Sequence, residues 1–93
     1  MRTENKEYTI TAYTEDCLGL MSRINAIFSR RRISITHFNM GPSETENVKK
    51  YVITIRETEE SVQKITRQME KQIDVLEVHY HKNPYLTAIE YAS

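Results

Sequence analysis

The chain has 93 residues, one domain's worth, with 39% hydrophobic and 28% charged residues. Thirteen basic residues balance thirteen acidic ones, which removes any global pull toward nucleic acid or an anionic membrane. A lone cysteine, Cys17, excludes an internal disulfide and a two-cysteine metal site, so the chain reads as one for a reducing compartment. The polar start, followed by alternation rather than an apolar run, does not resemble a signal peptide. No stretch approaches the roughly 20 apolar residues that span a bilayer. These features give a cytoplasmic expectation.

Tyr8, Ile10 and Ala12 alternate with Thr9, Thr11 and Tyr13, which predicts a strand over residues 6–14. A short loop, Glu15-Asp16-Cys17-Leu18-Gly19, follows. Leu20, Ile24, Ile27, Phe28 and Arg31 then share one helical face, with Arg30, Arg31 and Arg32 at the favourable C-terminal end. A second strand is expected over residues 33–40. Its alternation slips, because Ile33 and Ile35 keep one phase and Phe38 and Met40 the other. A bulge at Thr36-His37 reconciles the two halves. Gly41-Pro42-Ser43 is expected to break this strand.

Tyr51, Ile53 and Ile55 mark a third strand. Thr58 is placed to cap a second helix with Glu59 and Glu60 in its first turn, and Val62, Ile65 and Met69 form its buried stripe. A fourth strand is expected from Ile73, with Leu76, Val78 and Tyr80 on one side and Glu77, His79 and His81 on the other. Asn83-Pro84 punctuates. The order β-α-β-β-α-β, with two one-sided amphipathic helices, predicts an α+β ferredoxin-like sandwich: a four-stranded antiparallel sheet with both helices on one face. Residues 1–82 form the expected domain. Residues 83–93 are expected to be a C-terminal tail or the start of a truncated second domain.

No catalytic constellation assembles. Cys17 precedes a helix, where a thiolate is stabilised, but no partner base has a recognisable spacing. His79 and His81 share a strand face with Glu77 and no third strong ligand, so no metal site is expected. His37 is expected to be packed or at an interface. Arg30-Arg31-Arg32 reads as a solvated run rather than a phosphate site. An RNA-binding sheet exposes aromatics on its central strands, and Tyr13 and Tyr51 lack the glycine-flanked pattern. An acylphosphatase needs an arginine in the first loop, where this chain has two acids.

Residues 15–31 run Glu-Asp-Cys-Leu-Gly-Leu-Met-Ser-Arg-Ile-Asn-Ala-Ile-Phe-Ser-Arg-Arg, and residues 65–78 run Ile-Thr-Arg-Gln-Met-Glu-Lys-Gln-Ile-Asp-Val-Leu-Glu-Val. Both stretches, and the Gly41-Pro42-Ser43 turn, resemble the ACT domain of acetolactate synthase (acetohydroxyacid synthase) small subunits. The resemblance covers about residues 6–82. It implies a non-catalytic regulatory subunit of branched-chain amino acid (valine, isoleucine, leucine) biosynthesis. Such a subunit forms a homodimer, activates a catalytic large subunit and mediates feedback by an effector such as valine. Thiamine diphosphate, Mg and FAD belong to the large subunit, and no cofactor is expected in this chain.

The resemblance also implies an effector site at Asp16, Leu18, Gly19, Leu20, Met21, Ser34 and Gly41. Free N–H groups at a helix N-terminus suit a carboxylate, and Gly19 allows close backbone approach. Asp16 and Ser34 stand where the family has asparagines. Arg32 stands where the family has the helix-ending glycine, a left-handed position costing another residue roughly 1 kcal/mol. Two other readings remain at this point: a stand-alone amino-acid-sensing ACT domain for another partner, and an unrelated ferredoxin-like interaction module.

Overall fold

The structure, a computed structural model, describes residues 5–15 and 19–84. The elements in chain order are β1 (Lys6–Glu15), α1 (Leu20–Arg30), β2 (Ile35–Pro42), β3 (Val48–Glu57), α2 (Glu59–Glu70) and β4 (Val75–Lys82). The strands form one antiparallel sheet in the order β2-β3-β1-β4, the expected ferredoxin-like βαββαβ sandwich.

Alternation decides which face each strand buries. Tyr8, Ile10, Ala12 and Thr14 of β1 and Tyr51, Ile53 and Ile55 of β3 are buried on the helix-covered face. Leu20, Ile24, Ile27 and Phe28 of α1 and Val62, Ile65 and Met69 of α2 meet them in one core. Arg31 continues the α1 stripe in sequence but is exposed, and its Nε donates to Gln68 Oε1 at 2.7 Å.

The helix ends follow their sequences. At α2 the Thr58 hydroxyl accepts from the Ser61 N–H at 3.2 Å, with Glu59 and Glu60 in the first turn. At the end of α1, Arg32 has φ 59°. Its N–H donates to Ser29 O at 2.9 Å, and the Ile33 N–H donates to Phe28 O at 3.0 Å. That pair of bonds, with buried Ile33 beside buried Phe28, closes a Schellman turn on a non-glycine residue.

The bulge in β2 lies between Ile35 and His37, where the register shifts. Two boundaries differ from expectation. Gly41-Pro42 does not end β2, which runs through Pro42; β2 is an edge strand, so the missing N–H interrupts no ladder. Ile73 does not open β4; it lies in the turn before Val75 and is 89% exposed. Leu76 also leaves the expected inward row. Thr14 pairs with Val75 and Tyr13 with Glu77, so Leu76 is the extra residue of a bulge and is 53% exposed.

Candidate functional site

The C-terminal end of β1, the N-terminus of α1 and the turn before β4 converge on one end of the sheet. Arg23 of α1 pairs with the Asp74 carboxylate, and the Glu15 N–H donates to Asp74 O at 2.9 Å. Asp74 thus clamps both sides of the β1–α1 connection. Neither residue carries a local motif that announces this pairing, because they lie 51 positions apart.

Gly19 is the N-cap of α1 with φ 87°, a left-handed conformation that glycine adopts without penalty. Among the described residues, a Cβ built there would meet nothing within 4 Å. Among the described residues no side chain caps α1, and its first turn holds no acid. In this α1 differs from the capped, acid-flanked α2: among the described residues no side chain accepts from its first N–H groups.

The other expected site residues are placed unevenly. Leu20 is fully buried in the core, so only its backbone is offered. Met21 is exposed at 37%. Gly41 pairs with Lys50, which pairs in turn with Tyr13, so Gly41 lies level with the end of β1. Ser34 is exposed and follows the far end of α1. Eleven helical residues separate the two ends by about 16 Å, so Ser34 and Gly19 of one protomer do not converge. Asp16, Cys17 and Leu18 lie outside the described residues. Thr14, beside this end and without a motif in the sequence, is fully buried, and among the described residues its hydroxyl has no hydrogen-bond partner. Its alternation phase is the only sequence signal for it.

Other chemistry is limited. The Nε2 of His79 lies 2.7 Å from Glu77 Oε2. Among the described residues, no group of three or more His, Cys, Asp or Glu could hold a metal ion. Tyr51 is buried on the helix face, where it meets Phe38 edge-on at 5.9 Å between ring centroids. Tyr13 has the opposite phase, so the two tyrosines do not form a base-stacking platform. Among the described residues, no helix is long and apolar enough to cross a membrane. Burial, then the carboxylate of Glu59 and the Tyr80 phenol, push the Tyr8 phenol above its ordinary pKa.

The βαββαβ order with an antiparallel β2-β3-β1-β4 sheet is the ferredoxin-like fold of ACT domains. Solved structures agree. An acetolactate synthase small subunit from Thermotoga maritima matches with a TM-score of 0.74 and 24% identity, over 81% of this chain and 47% of that one. The ACT domain of GTP pyrophosphokinase from Chlorobium tepidum matches with a TM-score of 0.71 and 14% identity, over 83% and 99%.

Within that class, the family model for the AHAS (acetohydroxyacid synthase) small subunit-like ACT domain matches residues 10–77, and the chain belongs to this family. A probable acetolactate synthase small subunit from Methanothermobacter thermautotrophicus is 32% identical over 75 residues, 81% of this chain and 45% of that protein. The small subunit from Mycobacterium leprae is 30% identical over 71 residues, 76% of this chain and 42% of that protein. The chain thus spans less than half the length of these relatives. Membership of the family removes the reading as an unrelated ferredoxin-like module.

Proposed function

We propose that this chain acts as a regulatory subunit of acetolactate synthase, without catalytic machinery of its own. It associates with the catalytic large subunit, raises that subunit's activity and carries a site for a branched-chain amino acid such as valine. The observation that carries this reading is the family match across residues 10–77. Thiamine diphosphate, Mg and FAD are assigned to the large subunit.

In this reading the effector's carboxylate meets the uncapped N–H groups at Gly19, Leu20 and Met21, and Asp16 and Leu18 complete the loop. Asp16 stands where the family has an asparagine; a carboxylate only accepts, and its charge opposes the effector's carboxylate. Gly41 lies level with this end, whereas Ser34 lies at the other end of α1. A second protomer therefore supplies Ser34, and the functional unit is a homodimer. The exposed Phe38 and Met40 on the β2 edge favour that edge for the contact.

The test is reconstitution. The purified chain is titrated into an acetolactate synthase large subunit with its cofactors, and acetolactate formation is followed. Stimulation that saturates at a fixed subunit ratio is expected. No stimulation and no co-elution at any ratio would overturn the proposal. Turnover of pyruvate by the chain alone would overturn its non-catalytic character.

A further inference from the structure

We infer a second recognition site on the open face of the sheet: an acidic, aromatic-floored groove that takes an arginine or lysine side chain presented by a partner protein. It is separate from the α1 N-terminus and does not depend on which enzyme the domain regulates.

The groove has a volume of about 420 Å³. Tyr13 of β1 lies among its lining residues, with Val48 of β3 and Leu76 of β4 as apolar walls. Glu44 and Thr45 enter from the β2–β3 turn, and Glu77 and His79 from β4. Leu76 is there because of the β4 bulge. Uninterrupted alternation would direct it to the other face; the extra residue turns it outward beside two carboxylates. The bulge thus takes Leu76 out of the core row and places it in the groove lining.

The chemistry selects the occupant. A long cationic side chain has an apolar stem and a charged head. Leu76 and Val48 suit the stem, and Glu44 and Glu77 suit the head. One oxygen of Glu77 contacts His79, and a carboxylate accepts several bonds at once. The ring of Tyr13 already carries a cation: Lys50 Nζ lies 5.9 Å from its centroid. Glu15, which pairs with Val48, and exposed Glu46 add two more acids at this end, against Lys49 and Lys50. The groove is open, whereas sites for free small molecules enclose roughly 70–90% of the ligand. An open groove suits a side chain delivered by a larger surface.

The experiment is an amide NMR titration of the full chain with a capped Gly-Arg-Gly peptide. Capped Gly-norleucine-Gly and agmatine are the comparison probes. Saturable shifts at Tyr13, Val48 and Glu77 are expected with the arginine peptide and not with norleucine. The Glu44→Gln/Glu77→Gln double variant is expected to bind about tenfold more weakly, the scale of one or two lost charge-assisted hydrogen bonds. Leu76→Ser, which keeps both charges, is expected to weaken binding several-fold and stands in if the double variant does not fold. Absence of saturable shifts at these amides overturns the inference, as does equal binding by the variants. Agmatine binding about tenfold tighter than the peptide, some 1.4 kcal/mol, would make this a small-amine site and overturn the assignment to a partner's side chain.

Discussion

Tyr8 is buried against Tyr80, with ring centroids 6.0 Å apart, and its phenol is held above its ordinary pKa by burial first and Glu59 next. The sign follows from proton linkage. The folded chain keeps this proton at pH values where the unfolded chain has released it, so the contribution is intact below about pH 10 and is lost as pH rises toward the folded pKa. Denaturant melts between about pH 9 and 11 should therefore show falling stability, and Tyr8→Phe should flatten that fall. An unchanged slope in the variant would assign the alkaline loss to other groups. Gly19 gives a second test. Among the described residues nothing lies within 4 Å of a Cβ there, so the expected cost of Gly19→Val is the left-handed backbone, about 1–2 kcal/mol. The variant should stay folded and lose valine binding, because the branched side chain occupies the ligand's approach. Asp16→Asn should raise valine affinity by about 1–2 kcal/mol, the range for one good bond to a charged group. Calorimetric titration of valine into all three proteins decides both. Equal binding by native and Gly19→Val removes the loop from the site, and an unimproved Asp16→Asn makes Ser34 the limiting difference.

At the scale of elements, the Schellman turn at Arg32 makes a quantitative test. The turn keeps both closing bonds while a side chain sits at φ 59°, so Arg32→Gly relieves strain and should stabilise the domain by roughly 1 kcal/mol. Thermal melts of the pair measure it, and a lower melting temperature for Arg32→Gly would show that the arginine side chain contributes more than the strain costs. This residue was legible as a departure because a helix end is a local event. So were the Thr58 cap, the two buried stripes and the β2 bulge, which left a phase slip in the alternation. The β4 bulge was not. Leu76, Val78 and Tyr80 alternate without a break, and only the pairing of Val75 with Thr14 and of Glu77 with Tyr13 singles out Leu76. Likewise Pro42 reads as a breaker until β2 is known to be an edge. Gly19 was legible at the candidate site, whereas the clamp between Arg23 and Asp74 was not, since side chains 51 positions apart leave no spacing signal.

For the whole molecule, the order β2-β3-β1-β4 leaves two edges. The β4 edge presents His79, His81 and Lys82 to solvent, with one exposed apolar residue, Leu76, at its bulge, whereas the β2 edge presents two, Phe38 and Met40. Charge discourages strand pairing and exposed apolar groups invite it, so association through β2 is expected. Sedimentation at micromolar concentration should show a dimer, and Phe38→Lys with Met40→Lys should shift it to monomer. A native chain that sediments only as a monomer defeats the homodimer and, with it, the delivery of Ser34 from a second copy.

The position of β1 has a consequence for how the chain reaches this state. Among the four strands of this sheet it is the first synthesised, yet it lies between β3 and β4, with Lys6 opposite Glu57 and Tyr8 opposite Lys82. While the ribosome is still making the chain, β1 has no lateral partner until β3 emerges, and its other side stays bare until β4 clears the exit tunnel. Its apolar row of Tyr8, Ile10 and Ala12 is meanwhile covered only by what the early helix can offer. Closing the sheet is therefore a late event with long sequence separations, which slows folding relative to a helical domain of this size. For that interval β1 is the strand of this sheet most in need of protection from pairing with another chain.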